Sequence, residues 1–217
     1  MNRNSKPQHP QRRDQVLAAA TTVFHEKGYS RASIQDVAEA LGMLKGSLYY
    51  YIDSKEDLLF AIIEDIHLRT LERLERWLQI EGDTLVKVRF LLRGQVLSYC
   101  REFEQVGVFL HDFRSLSPER QERILRERDR YDRSLRDLIA EGQAEGVIAS
   151  DVDPKMTAMA IFGMMNWIST WWKPDGPNTP EELADQFTDL VLAGLVPRET
   201  GTRGDIGRLP EGWELPE

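Results

Sequence analysis

Residues 31–59, RASIQDVAEALGMLKGSLYYYIDSKEDLL, decide the fold of this 217-residue chain. Ser33, with Asp36 three residues on, has the spacing of a capping box at a helix N-terminus. Ile34, Val37, Ala38 and Leu41 then recur at helical spacing, so one face of a short helix is expected to be buried. Gly42 stands where a helix ends in a left-handed residue. A turn through Met43 and Leu44 leads to a second short helix, Lys45 to Tyr51, with Leu48 as its inward anchor. Ser54 and Asp57 repeat the capping offset at the start of a third. Two short helices joined by a tight glycine turn make a helix-turn-helix, whose second helix can enter the major groove of DNA.

The composition of that second helix suits such a role. Lys45, Ser47, Tyr49 and Tyr50 crowd hydrogen-bonding groups onto barely two turns, and Lys55 lies just beyond. Gly46 has no side chain, so a phosphate can approach closely. The plainer alternative makes the three tyrosines half-buried core residues of a small helical bundle. Capping, turn and basic residues coincide here, which favours contact with DNA.

The longer run AAATTVFHEKGYSRASIQDVAEALGMLKGSLYYYIDSKEDLL resembles the N-terminal domain of TetR-family transcriptional regulators. Phe24, Gly28-Tyr29, Ser33-Ile34, Val37-Ala38, Gly42, Lys45 to Tyr49 and Ser54 to Leu58 carry the likeness, within residues 12–70. It implies that Ser33, Lys45, Gly46, Ser47, Tyr49, Tyr50 and Lys55 lie at or near DNA. Two positions depart from the family pattern. Leu44 replaces a serine that commonly caps the reading helix, and Ile52 replaces a phenylalanine.

Charge is distributed in keeping with this. Residues 1–57 carry 8 Lys/Arg and 7 Asp/Glu, whereas the remaining 160 carry 20 and 29, so the net −8 belongs to the second part. The head is thus free to approach phosphate. A single cysteine, Cys100, excludes an intrachain disulfide and a zinc finger. The longest uncharged run, Met156 to Trp172, is 17 residues long and includes Thr157, Asn166, Ser169 and Thr170, which disfavours a membrane span. A cytoplasmic protein without a membrane partner is expected.

Outward from the head, residues 1–11 form a polar arm whose Arg3 and Lys6 could follow phosphates or merely aid solubility. A first helix spans about Arg13 to Lys27. The domain expected to read DNA covers 12–58, with its last helix continuing to about 80. Residues 59–197 form a helical effector-binding and dimerisation domain, and 198–217 a tail rich in glycine, proline and charge. Ser117-Pro118, Asp153-Pro154 and Thr179-Pro180 each put a capping residue before a proline at the first helical position. They predict helices over 118–145, 154–172 and 180–194. No useful β-alternation occurs, so the fold class is all-α.

The arginine-rich helix from Pro118 is matched by nearly as many carboxylates, which reads as a salt-bridged surface rather than a nucleic-acid face. Its stripe of Ile124, Tyr131, Leu135, Leu138 and Ile139 points at a partner. By the family resemblance, this helix and 180–194 would form a two-fold dimer interface that presents two heads to a near-palindromic operator. The helix 156–172 is apolar nearly all round, so it must be surrounded, either as core and dimer seam or as the wall of a cavity.

The segment Asn166-Trp167…Trp171-Trp172-Lys173-Pro174-Asp175-Gly176-Pro177 also resembles one branch of that family, repressors of fatty-acid and steroid breakdown released from DNA by acyl-CoA thioesters. The likeness implies an acyl chain among Phe109, Phe113, Met164, Trp167 and Trp171. It leaves Arg93, Arg101 or Lys173 for the CoA phosphates. No other cofactor is expected. The four histidines lack metal-ligand spacing, and His111-Asp112, the most enzyme-like pair, has no nucleophile beside it. A ligand-responsive repressor is the expectation. The rivals are a ligand carrier or enzyme with a vestigial head, and an architectural dimer without an effector.

Overall fold

The computed structural model describes residues 10–197; the basic-arm expectation for residues 1–9 and the whole expected tail, 198–217, lie outside the described residues. Among the described residues the chain is all-α, with nine α-helices, one 3-10 turn and no strand. The helices are α1 (Pro10–Lys27), α2 (Ile34–Ala40), α3 (Lys45–Leu48), α4 (Lys55–Leu78), α5 (Thr84–Arg101), α6 (Phe103–Asp112), α7 (Pro118–Ala144), α8 (Pro154–Trp171) and α9 (Pro180–Leu195). The first begins at Pro10, earlier than the expected Arg13, because proline is tolerated where a helix has no N–H to satisfy.

The predicted caps form, with one exception. Ser33 and Asp36 make a reciprocal box, as do Thr179 and Glu182, while Asp153 accepts from the Met156 amide at 2.7 Å. Gly28 and Gly42 adopt φ of +76° and +62°, a region only glycine enters without strain. Ser117 is the exception. Its side chain does not cap α7, because its amide donates to Glu56 Oε1 at 2.9 Å and its hydroxyl is also engaged by Glu56.

Two apolar clusters hold the chain together. The larger joins α5, α7, α8 and α9 with the end of α4, through fully buried Leu91, Leu92, Leu135, Ile139 and Met165. The other surrounds α1 to α4 but also takes in Val108 of α6, Leu116 after the 3-10 turn and Ile124 of α7. The core of the head is therefore completed by residues of the body. The arginines of α7 reinforce that seam rather than merely solvating a face. Arg120 pairs with Glu56 and Asp57, and Arg123 with Glu64, all on α4.

The stripe Ile124, Tyr131, Leu135, Leu138 and Ile139 is consumed inside the chain, which corrects the expectation that α7 offers it to a second copy. The uncovered apolar face lies on α8 and α9. Met156, Met159, Met164, Trp167 and Trp171 run along one side of α8 and are exposed, as is Leu190 of α9. The opposite side of α8, Ala158, Ile161, Met165 and Ile168, is buried. No helix of the described residues is long and apolar enough to cross a membrane.

Candidate nucleic-acid interface and effector cavity

The short helix α3 is anchored from below. Leu48 is fully buried and Ile52 nearly so, and Tyr51 packs against the same cluster. Their neighbours face out, with Tyr50 71% exposed, Tyr49 43% exposed, and Lys45 and Gly46 open to solvent. The tyrosine triplet thus divides, two rings outward and one inward. Ile52 fills the position of the expected phenylalanine without leaving the core. Leu44 at the N-cap is 81% exposed and supplies no capping bond, in line with the missing serine. A Cβ on Gly46 would meet nothing within 4 Å, so nothing inside the chain demands glycine there.

Ser33 and Lys55 are more committed. The Ser33 hydroxyl donates to Asp36 at 2.6 Å, and Lys27 also bonds Asp36, which together hold that carboxyl well below the usual range, Lys27 being the larger cause. Lys55 lies with its ammonium 4.2 Å from the centre of the Tyr29 ring, and burial lowers its pKa. The Tyr29 amide donates to Asp112 of α6 at 3.3 Å. Lys55 therefore sits at the hinge of head and body rather than on the open face with Lys45.

In the body, a cavity of about 60 Å³ lies between α4, α5, α6, α7 and α8. Ile66, Leu71, Val106, Phe109 and Phe162 supply its apolar wall. Its polar groups are mostly satisfied by each other. Tyr99 donates to Asn166 and Tyr131 to Gln95, both at 3.1 Å. The His67 ring packs edge-on to Phe109 with centroids 4.6 Å apart, its Nε2 has no partner, and burial pushes its pKa down to about 4.

Of the residues expected to hold an effector, Phe109 alone lines this cavity. Phe113 sits behind Phe109 in the 3-10 turn, with ring centroids 5.8 Å apart. Arg93 faces α9, where it bonds Asp185 at 2.6 Å. Met164, Trp167 and Trp171 face away on the exposed side of α8. The sequence does not distinguish the two sides of an all-apolar helix, so it could not tell that these three lie on the side away from this cavity. His67 of α4, Tyr99 of α5 and Tyr131 of α7 were missed, because three separate helices bring them together and no local spacing in the sequence relates them. Among the described residues no group of His, Cys, Asp and Glu is placed to hold a metal.

A helix-turn-helix head with an outward reading face, carried on a helical body with an internal cavity, defines a one-component DNA-binding regulator. The pattern of bacterial regulatory proteins of the tetR family matches residues 16–62, and that of the tetracyclin repressor-like C-terminal domain matches residues 81–195. This chain belongs to the TetR family. The family and the relatives below are transcriptional regulators, not enzymes.

The transcriptional repressor KstR2 of Mycolicibacterium smegmatis is 28% identical over 196 residues, covering 89% of this chain and 93% of that protein. The structure of the ketosteroid regulator KstR2 of Mycobacterium tuberculosis superposes with a TM-score of 0.83 at 22% identity, over 90% of this chain and 100% of the other. AibR, solved with isovaleryl coenzyme A and operator DNA, gives 0.75 at 30% identity, over 82% and 97%.

Proposed function

We propose that this protein is a cytoplasmic, homodimeric transcriptional repressor that reads a near-palindromic operator through α3 and leaves it on binding an amphipathic effector, an acyl-CoA thioester. The carrying observation is the division of α3 and the turn that follows it, Lys45 to Tyr50: Leu48 is fully buried while Lys45, Tyr49 and Tyr50 face solvent. A short anchored helix with polar and aromatic groups outward suits insertion into a major groove. The exposed stripe on α8, continued by Leu190 of α9, supports a two-fold contact that would set two heads about 34 Å or a multiple apart. The structure of AibR with isovaleryl coenzyme A and operator DNA supports the effector class.

The coupling route follows from α6. Val106 and Phe109 line the cavity, whereas Val108 packs into the core of the head. A ligand that displaces Phe109 shifts α6 against α1, so it favours one head orientation by its differential affinity. A cavity of about 60 Å³ must open to admit an acyl chain.

The test is a gel shift with DNA flanking the protein's own gene, with and without acyl-CoA thioesters. Lys45→Ala and Tyr49→Ala should each weaken operator binding by about tenfold or more while the protein stays folded. Unchanged retention of DNA by both variants would contradict the assignment of α3.

A further inference from the structure

The polar groups around the inner cavity are not equally provided for. The Tyr99 and Tyr131 hydroxyls are held by Asn166 and Gln95, each at 3.1 Å. The Thr70 hydroxyl donates to the Ile66 carbonyl at 2.8 Å and accepts from Arg73 at 3.0 Å. Glu127 accepts from Arg130 at 3.1 Å. Among the lining residues, His67 is the one with a buried side-chain atom that finds no partner, its Nε2. The ring is nevertheless held in place, edge-on to Phe109 at 4.6 Å. An unpaired polar atom in an apolar wall is a standing cost to the fold, and a phenylalanine would meet Phe109 without it.

We propose that His67 sets the specificity of this cavity, and that the ligand it selects carries one acceptor oxygen, a ketone or a carboxylate, on an otherwise apolar body. The proposal rests on the cavity being the effector site, as read above, but not on a thioester. Two features choose an acceptor. The ring is neutral, because burial first and the charge of Arg128 second oppose another proton, against the pull of Glu127, and a neutral ring has one N–H to donate. Arg128 lines the same cavity and is exposed, which puts a positive charge on its solvent side. That charge favours an oxygen that brings lone pairs over one that brings a proton. The rest of the wall, Ile66, Leu71, Val106 and Phe162, offers apolar contact only.

The position of His67 gives the contact a mechanical consequence. Helix α4 begins in the head at Lys55, and His67 lies about three turns further along it. A ligand whose oxygen is bonded to His67 and whose body lodges against Phe109 therefore links α4 to α6. A plain hydrocarbon reaches Phe109 but leaves Nε2 as it was, so it holds α6 without holding α4. The two helices that join body to head respond together only to the oxygenated ligand.

Titration of the full-length protein with 2-pentanone, pentanoate and pentane, followed by NMR of the imidazole nitrogens, tests this. At least one of the two oxygenated probes should bind about tenfold more tightly than pentane and should shift the His67 Nε2 signal. His67→Phe, checked by circular dichroism, should bring that probe down to the level of pentane. His67→Gln, which keeps an N–H donor, should restore part of the preference. Calorimetry in two buffers of different ionisation enthalpy separates the sources, since a carboxylate beside His67 favours the imidazolium and binds with proton uptake, whereas a ketone does not. Pentane binding as tightly as both oxygenated probes overturns the proposal. So does a preference that survives in folded His67→Phe, or no binding of any probe to the natural protein. The gel shift with acyl-CoA thioesters is read separately. A chain that ignores them but keeps this preference loses only the thioester reading, and one that answers to them without the preference loses only the role of His67.

Discussion

Gly46 separates stability from recognition more cleanly than any other residue of the head. Glycine inside a helix costs about 1 kcal/mol relative to alanine, and the space around this one is open. Gly46→Ala should therefore leave thermal stability equal or slightly higher while operator affinity falls severalfold. A stabilised variant with full affinity would mean that no phosphate approaches there. His67 offers a second residue-scale test. Its folded pKa of about 4 lies below its ordinary 6.5, chiefly through burial and then through the charge of Arg128, against which Glu127 works in the opposite direction. The unfolded chain binds more protons between those values, so stability rises with pH from about 4 to 6.5 and is fully present above that. The gain is on the order of 3 kcal/mol. Urea midpoints at pH 4.5 and 7.5 should differ clearly for the natural protein and less for His67→Phe. Equal slopes in both would place the acid sensitivity elsewhere.

Individual elements differ in how plainly the sequence announces them. Caps, glycine ends and proline starts are local chemistry, so α2, α4, α8 and α9 could be placed to within a residue or two. Ser117 could not be assigned in this way, because its partner Glu56 lies 61 residues away. The same limit affected the effector site. Exposure of Trp167 and burial of Met165 depend on which neighbours α8 meets, and a helix apolar on all sides carries no periodicity to reveal that. If the outer stripe of α8 is a seam between two copies, Trp167→Glu with Leu190→Glu should convert the dimer to monomer in sedimentation experiments. Persistence of the dimer would move the contact elsewhere. Within the chain, the elbow between α5 and α6 depends on Glu102, held by Arg73 in a nearly buried pair. Arg73→Ala leaves that carboxylate without its main partner and should cost about 3–5 kcal/mol. Adding Glu102→Leu should recover much of the loss in denaturant titrations.

At the scale of the whole molecule, the head can be recognised from sequence almost residue by residue, whereas its attachment cannot. Asp112 to Tyr29, Glu56 to Ser117 and the Arg120 pairs on α4 all bridge distant segments. Arg120 also lies over the Phe60 ring at 4.9 Å, so it joins charge and packing at one point. Arg120→Ala should raise hydrogen exchange in α1 and the start of α4 more than it lowers global stability. A uniform rise across the body instead would show that the seam is not a separate hinge.

The core that runs from Val16 and Phe24 through to Val108, Leu116 and Ile124 has a practical corollary. Cutting the chain after α4 would bare the apolar underside on which those last three residues sit. An excised reader of this kind would tend to clump, and grafting it onto a foreign sensor would require that sensor to bring matching surfaces of its own. The reader and the helices beneath it therefore come as one piece, and laboratory chimaeras should be spliced inside α7 rather than at its start.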